Sequence, residues 1–563
     1  MGFHLSERRR GDTIYLYACR DWTDPQTHKR RKEQYGLGCV KNGICHFNDN
    51  AIKFAEVFVG GKYETQYWQW RKLRSVQETE EVIYSMSEVV NSEDRNAGLF
   101  LLCESQIKRL EIKQLLYKIF REERAKLILS VVYFLVRGGR DPLYSVANWS
   151  RDQFLPVGRD MSEDNVAELL KQITPSEILT FMISWIKRFP REERMSLDIT
   201  SVSSYSRQIS DVTWGYNRDN EELPQINLLM IVSQKNRLPA WIEQLPGAVS
   251  DVTTLKDVFQ TLKHADDAPR NIVFDRGFAS RENISAMLKL RVKFTMGVPL
   301  KIWTSLLEEA RQLYENNEFF HPDAMLDGVD YNGSPVHAVT RLKNIDGHRV
   351  YDHFYYTDRL ATIDRQELSK LLKDLTARLR NGEDVTDPLE QLIVDTCFTV
   401  KTTPVRGLTV KVKTNAIALL RQKESGFFVI KTNKFKSAAD AFDAYRLRDG
   451  VEKRFDDMKN QEDMKRLRVH SGHNMKSRIF LQFLAQILRC DALEKIQKTN
   501  TKIPGIKTVS DLYFMIESIR RIRVGNHQPF YKRPTKAQLL ALTVFGVSTD
   551  SWPSMRSAIP EAL

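Results

Sequence analysis

The stretch AYRLRDGVEKRFDDMKN at 444–460 gathers several chemically able side chains into one short segment. Tyr445, Arg448, Glu452 and Lys459 are separated by two, three and six residues. Wound into a single helix at about 100° per residue, they fall within roughly 60° of one another. Leu447, Val451, Phe455 and Met458 then form an adjoining apolar stripe. One face packs, and the next presents a carboxylate among cations and a phenol. Such a set suits phosphate chemistry with a divalent cation: Glu452 is a hard oxygen ligand, and Arg448 and Lys459 can hold phosphate oxygens. Glu and Arg four apart are also an everyday surface pair, and Gly450 weakens a helix here. The chemistry therefore needs further carboxylates elsewhere in the chain.

The order and spacing of these four residues resemble the tyrosine, arginine, glutamate, lysine signature of the insertion-sequence-four-like DDE transposases. The resemblance implies that Glu452 is the third carboxylate of a metal-binding triad on an RNase H-like fold, with Tyr445, Arg448 and Lys459 gripping phosphates of the transposon end. It also implies two aspartates upstream, on strands. RMSLDITSVS at 194–203 resembles the first such unit and selects Asp198. NIVFDRGFASRENISAMLKL at 271–290 resembles the second. There Asp275 ends an apolar strand, Gly277 occupies the turn and Ser280 is the N-cap of the next helix; a strand at 292–297 follows. The blocks at 214–251, with an apolar strand at 226–232, and at 465–488 also look like the family, so the likeness covers about 194–300 and 423–490.

With 72 acidic residues in the chain, either aspartate alone is weak. The order Asp, Asp, Glu on strand, strand and helix, joined to the tyrosine-to-lysine signature, is far more specific. Three carboxylates suit two Mg²⁺ ions, for which Mn²⁺ substitutes, set roughly 3.5 to 4 Å apart to serve the attacking and leaving oxygens of a phosphodiester displacement. The family implies that Asp198 is shared by both ions, while Asp275 and Glu452 each complete one site.

Length and composition frame this chemistry. At 563 residues the chain exceeds one ordinary core. Its net charge of +13 and pI near 9.2 suit an anionic polymer without naming which. Six cysteines without a CxxC pair point to a reducing compartment, and Cys39, Cys45 and His46 lack an evident fourth zinc ligand. No signal peptide or membrane-length apolar run is evident, so a soluble, cytoplasmic, nucleoid-associated protein of a prokaryotic host is expected.

The expected fold is multidomain α/β. Residues 1–90 read as β-rich and DNA-binding, with TIYLYACR as a strand, a basic turn at 28–32, and KYETQYWQWRKLR interleaving aromatic and basic residues as phosphate contact with base stacking would need. Residues 91–193 read as helical. Thr174, Pro175 and Glu177 open one helix with a capping box, and the pair around it allows a helix-turn-helix or any bundle. The RNase H-like core is split into 194–300 and 423–495 by a β-rich insertion at 301–422, because 176 residues separate Asp275 from Glu452. In relatives that insertion helps hold the DNA end and a flipped base, for which Trp303 is the stacking candidate. Residues 496–563 read as helical and basic, for dimer or DNA-backbone contacts.

The function so implied is cut-and-paste transposition. The protein would bind terminal inverted repeats of double-stranded DNA as a homodimer, nick the end, form a hairpin and transfer the strand. The alternatives are a transposase-derived DNA-binding protein that no longer cuts, and a nuclease without strand transfer.

Overall fold

The computed structural model describes residues 2–23, 29–41, 43–78, 86–139, 141–206, 208–215, 222–248, 258, 270–403, 407–414, 426–461, 466–467, 471–499 and 501–549. Parts of the blocks at 28–32, 214–251 and 465–488 lie outside these residues. The described residues form two compact units, Met1–Ser92 with Arg523–Gln528, and Glu93–Ile522 with Pro529–Trp552.

In the first unit, strands β1 (His4–Arg10), β2 (Thr13–Thr23), β3 (Arg30–Lys41) and β4 (Ile44–Phe47) form an antiparallel sheet in chain order. Alternation along β2 sends Leu16 and Ala18 to one face, and a bulge at Leu37 of β3 lets Leu37 and Val40, three apart, join them there against Phe58, Tyr63 and Tyr67. The aromatic and basic segment predicted near residue 62 folds as helix α1 (Glu64–Glu78). Tyr67 enters the core and Trp68 stays half exposed.

The second unit begins with helices: α2 (Gly98–Arg109), α3 (Ile112–Phe120), α4 (Glu122–Val136), α5 (Glu163–Gln172) and α6 (Pro175–Ile186). Thr174 caps α6 and Glu177 returns the capping bond, as expected.

The sheet that follows uses β5 (Arg194–Ser204), β6 (Gln225–Ser233), β7 (Pro239–Pro246), β8 (Asn271–Phe274) and β9 (Lys293–Val298), with α7 (Arg281–Lys289) between the last two. Ser280 caps α7, as predicted. After α8 (Thr304–Glu315) come β10 (Met325–Tyr331), β11 (Ser334–Ile345), β12 (His348–Tyr356) and α9 (Asp358–Arg380). A hairpin of β13 (Phe398–Thr403) and β14 (Gly407–Val412) precedes β15 (Phe427–Thr432).

Nine of these strands make one mixed sheet in the order β10-β11-β12-β15-β9-β8-β5-β6-β7, with Arg466–Leu467 pairing beside β5. Only β5, β8 and β9 run parallel along that order; the other neighbours are antiparallel. The β-rich segment after residue 300 thus extends the central sheet by three strands through β15, and among its described strands the β13–β14 hairpin stands apart from it.

Helices α10 (Ala438–Arg446), α11 (Asp449–Gln461) and α12 (Gly472–Lys498) follow, and helices at Val509–Glu517 and Lys536–Val544 come after them in the same unit. α12 is buried from Ser477 to Ala492 and packs against α4, α5, α6 and β7. Several of its buried polar groups are paired. Arg489 grips Asp457 of α11 with two bonds of 2.8 Å, and Asp491 accepts from Arg109 and Gln106 at 2.6 to 2.7 Å. No helix among the described residues is long and apolar enough to cross a membrane.

The expectation of one continuous helix from 445 to 459 is overturned. α10 ends at Arg446 and α11 starts at Asp449. Across the break the bonds are of the tighter i to i+3 kind, Arg448 N–H to Tyr445, Gly450 N–H to Leu447 and Val451 N–H to Arg448. The apolar stripe changes accordingly: Val451, Phe455 and Met458 are buried, whereas Leu447, in the break, is 45% exposed.

Candidate active site

Parallel pairing sets the first two acids side by side. The register of β5 on β8 pairs Leu197 with Phe274, so Asp198 and Asp275 are the next residues on adjacent strands. Asp198 is buried within β5 and its Oδ1 accepts from Ile199 N–H at 2.8 Å. Asp275 lies one residue past β8, where the chain turns through Arg276–Phe278 into α7.

Glu452 arrives from the other end of the fold, on the first turn of α11. That helix is anchored behind by Val451, Phe455 and Met458, by the Asp457–Arg489 pair, and by buried Arg454, which donates to Cys490 Sγ at 3.3 Å. The solvent-side face then holds Glu452, whose side chain is 51% exposed.

Arg448 sits at the centre. Its Nη1 donates to Glu452 Oε1 at 2.8 Å and lies 4.0 Å from Asp198 Oδ2, while Nη2 is 3.8 Å from Asp275 Oδ1. Its Nε is buried without an acceptor. Burial works against the guanidinium charge, but Asp275, Tyr445 and Glu452 outweigh it and hold Arg448 above the ordinary arginine range. One cation thus gathers all three predicted carboxylates.

Tyr445, at the end of α10, donates to Asp275 Oδ1 at 3.3 Å and lies under the Arg448 guanidinium, 5.7 Å from ring centroid to Cζ. Burial pushes its phenol up, and Asp275 adds to that against the pull of Arg448. The ring lies against Gly297 of β9, where an added Cβ would come within 2.4 Å of the phenol oxygen. Sequence reasoning missed Gly297 as a site residue. A glycine inside a strand was the available signal, since it marks close approach by another group.

The remaining predicted residues stand apart from this cluster. Lys459 is on α11 seven residues beyond Glu452, roughly 10 Å along the axis. Trp303 opens α8, partly buried, with its indole N–H donating to Ala279 C=O at 3.2 Å and the Lys431 ammonium 5.7 Å from its ring. Against Tyr445 runs a groove of about 1930 Å³ whose walls carry more cations, among them Arg194, Arg237, Arg276 and Arg446, than acids, which are Asp364, Glu367, Asp443 and Asp449.

Asp198, Asp275 and Glu452 supply the hard oxygen donors that Mg²⁺ prefers, converging on one cationic centre. Among the described residues, no three metal-binding side chains stand close enough to form a ready-made metal cluster. By chemistry the three acids are a donor set for a hard divalent cation, and in this structure Arg448 stands among them.

The family model of the transposase DDE domain matches residues 190–488, the span that carries every residue of this cluster. Among solved structures, the cryo-EM structure of the piggyBac transposase synaptic complex with hairpin DNA is 9% identical over 70% of this chain and 70% of its own, with a TM-score of 0.34. No curated protein matches the chain.

Proposed function

The chain belongs to the transposase DDE domain family, and on that premise we propose that it is a cut-and-paste DNA transposase. Asp198, Asp275 and Glu452 are read as its metal-binding triad on an RNase H-like core. The single observation that carries this reading is the convergence of the three carboxylates, from two adjacent strands and a distant helix, on one guanidinium. The sheet order supports the fold assignment: an antiparallel run β5-β6-β7 flanked by parallel β8 and β9 puts two of the acids on neighbouring strands.

When bound, two Mg²⁺ ions supply Lewis-acid activation of the attacking oxygen and stabilisation of the leaving one. The protein's own groups do the rest. Asp198, the most buried of the three acids, would hold the ions together with Asp275 and Glu452. Arg448, displaced from the carboxylates, turns to a phosphate of the DNA end, where its planar fork matches phosphate oxygens. Tyr445 remains a neutral donor and contacts a phosphate beside the scissile bond. Lys459 holds the backbone farther along, and the cationic groove receives the duplex. Trp303 is read as the stacking residue for a flipped base. A nick followed by attack of the freed 3′-OH on the opposite strand gives a hairpin, so one site cuts both strands. Two copies would pair the two ends.

Cleavage of a labelled DNA carrying the element's terminal inverted repeat tests this, with wild type beside Glu452→Gln at matched occupancy. Wild type nicks and then forms a hairpin, and Glu452→Gln binds without cutting. Cleavage by the variant removes Glu452 from the triad. Binding without cleavage by both proteins makes the chain a DNA-binding protein only.

A further inference from the structure

The sheet of the N-terminal unit has a second face, opposite the one that packs on Phe58, Tyr63 and Tyr67; on it Cys19 is buried and Tyr15 is exposed. Side chains alternate across a strand, so Tyr15 and Tyr17 of β2 point away from Leu16 and Ala18, which fill the core. Neither tyrosine belongs to that core, and Tyr15 is 38% exposed. Register puts Arg8 beside Tyr15 on one side and Cys39 on the other, with Gly36 beside Tyr17. Gly36 leaves room for the ring: a Cβ there would lie 3.9 Å from Tyr17 Cε1. Arg8 stays over Tyr17 at 5.5 Å and is tethered to Gln34 Oε1 at 2.9 Å.

The same alternation puts Arg10 of β1, and Arg30, Lys32 and Lys41 of β3, on this face with Arg8, all of them exposed. The described acid among them is Asp21, opposite Lys32. A strongly cationic sheet surface with two aromatic rings on its second strand has the chemistry of a nucleic-acid stacking platform.

Geometry selects the form of the nucleic acid. Residues two apart on a strand stand about 6.7 Å apart, twice the roughly 3.4 Å rise of a paired strand. Rings at that spacing fit bases drawn apart and not a closed duplex, whose base faces are already stacked.

We propose that this face binds unpaired DNA, with one base stacked on Tyr15 and the next on Tyr17 once Arg8 swings off that ring to a phosphate, the backbone being held by Arg8, Arg10, Lys32 and Lys41. The site takes any base, because stacking reads the ring face and not its edges. It goes beyond the cleavage reading and needs neither the triad nor a metal, so the two fail separately.

The test uses the full chain in EDTA, measuring anisotropy of a labelled oligothymidylate and of a duplex of equal length. Tyr15→Ala with Tyr17→Ala is expected to weaken single-strand binding by about tenfold per ring, with a smaller effect on the duplex, and the double Phe variant restores it. Equal loss on both DNAs, or no loss, overturns the proposal. Tighter binding of oligouridylate than oligothymidylate overturns it in favour of RNA. Should the Ala variant fail to fold, photocrosslinking of wild type to a 5-iodouracil strand decides: adducts at Tyr15 or Tyr17 support the platform, and adducts confined to the second unit overturn it.

Discussion

Arg448 donates to Glu452 at 2.8 Å across a step of four residues, although Arg448 lies just before the helix that carries Glu452. The break between α10 and α11 lets the guanidinium lean over both aspartates as well. Its single positive charge offsets part of the repulsion among the acids, and it makes one close bond, to Glu452, in doing so. A cation entering the site competes with Arg448 for the same oxygens.

That competition has a measurable sign. Arg448→Ala is expected to bind Mn²⁺ more tightly than wild type in the absence of DNA, by roughly tenfold for the loss of one charged hydrogen bond. The same variant binds the DNA end less tightly. Mn²⁺ titration followed by electron paramagnetic resonance checks the first statement, and unchanged or weaker Mn²⁺ affinity would show that Arg448 does not obstruct the site.

Gly297 should behave as a site residue although it carries no side chain. In Gly297→Ala the new methyl meets the Tyr445 phenol oxygen at 2.4 Å, and the flexible end of the tyrosine must move off Asp275. The variant is expected to unfold at nearly the wild-type urea concentration but to cleave as poorly as Tyr445→Ala. A large stability loss would instead place the clash in the β9 backbone.

Asp457 positions the helix that bears Glu452. Asp457→Ala leaves the guanidinium of Arg489, 2% exposed, without its bidentate partner. Breaking a fully buried pair costs about 3–5 kcal/mol; with Asp457 27% exposed, a loss of about 2–3 kcal/mol is expected after screening. Urea denaturation measures it, and a change below about 0.5 kcal/mol would exclude the pair as the anchor of α11.

His353 gives the extended sheet an acid limit. Burial lowers its pKa, against the opposing effects of the Phe435 carbonyl and Asp352. Its two ring nitrogens bond Thr340 Oγ1 at 2.9 Å and the Phe435 C=O at 3.1 Å, which suits a neutral ring donating from Nε2. The folded value lies below the unfolded one, so this contribution is intact above about pH 6.5 and is lost as pH falls through the folded value. Melting of wild type and His353→Gln between pH 7.5 and 5 reads it out: wild type should lose more stability on acidification, and parallel curves would refute the assignment.

Sequence alone determined those parts of the site whose signal is local. Asp198 within a strand, Asp275 ending an apolar strand before a capped helix, and the Thr174 capping box each depend on neighbours a few residues away, and each formed where the pattern placed it. The acidic order and the spacing from Tyr445 to Lys459 were likewise legible, because they are properties of the chain itself. Tertiary structure decided the rest. A helical wheel assumes an unbroken helix, so it put Leu447 among the packed residues; Gly450 marked the weak point in the sequence, but only the fold shows Arg448 reaching from the break to Asp198 and Asp275 as well as Glu452. The role of Gly297 depends on a ring 148 residues away in the chain. The three strands after residue 300 joined the central sheet because an open edge at β15 offered unpaired backbone groups, and nothing in their own sequence states which edge they would find.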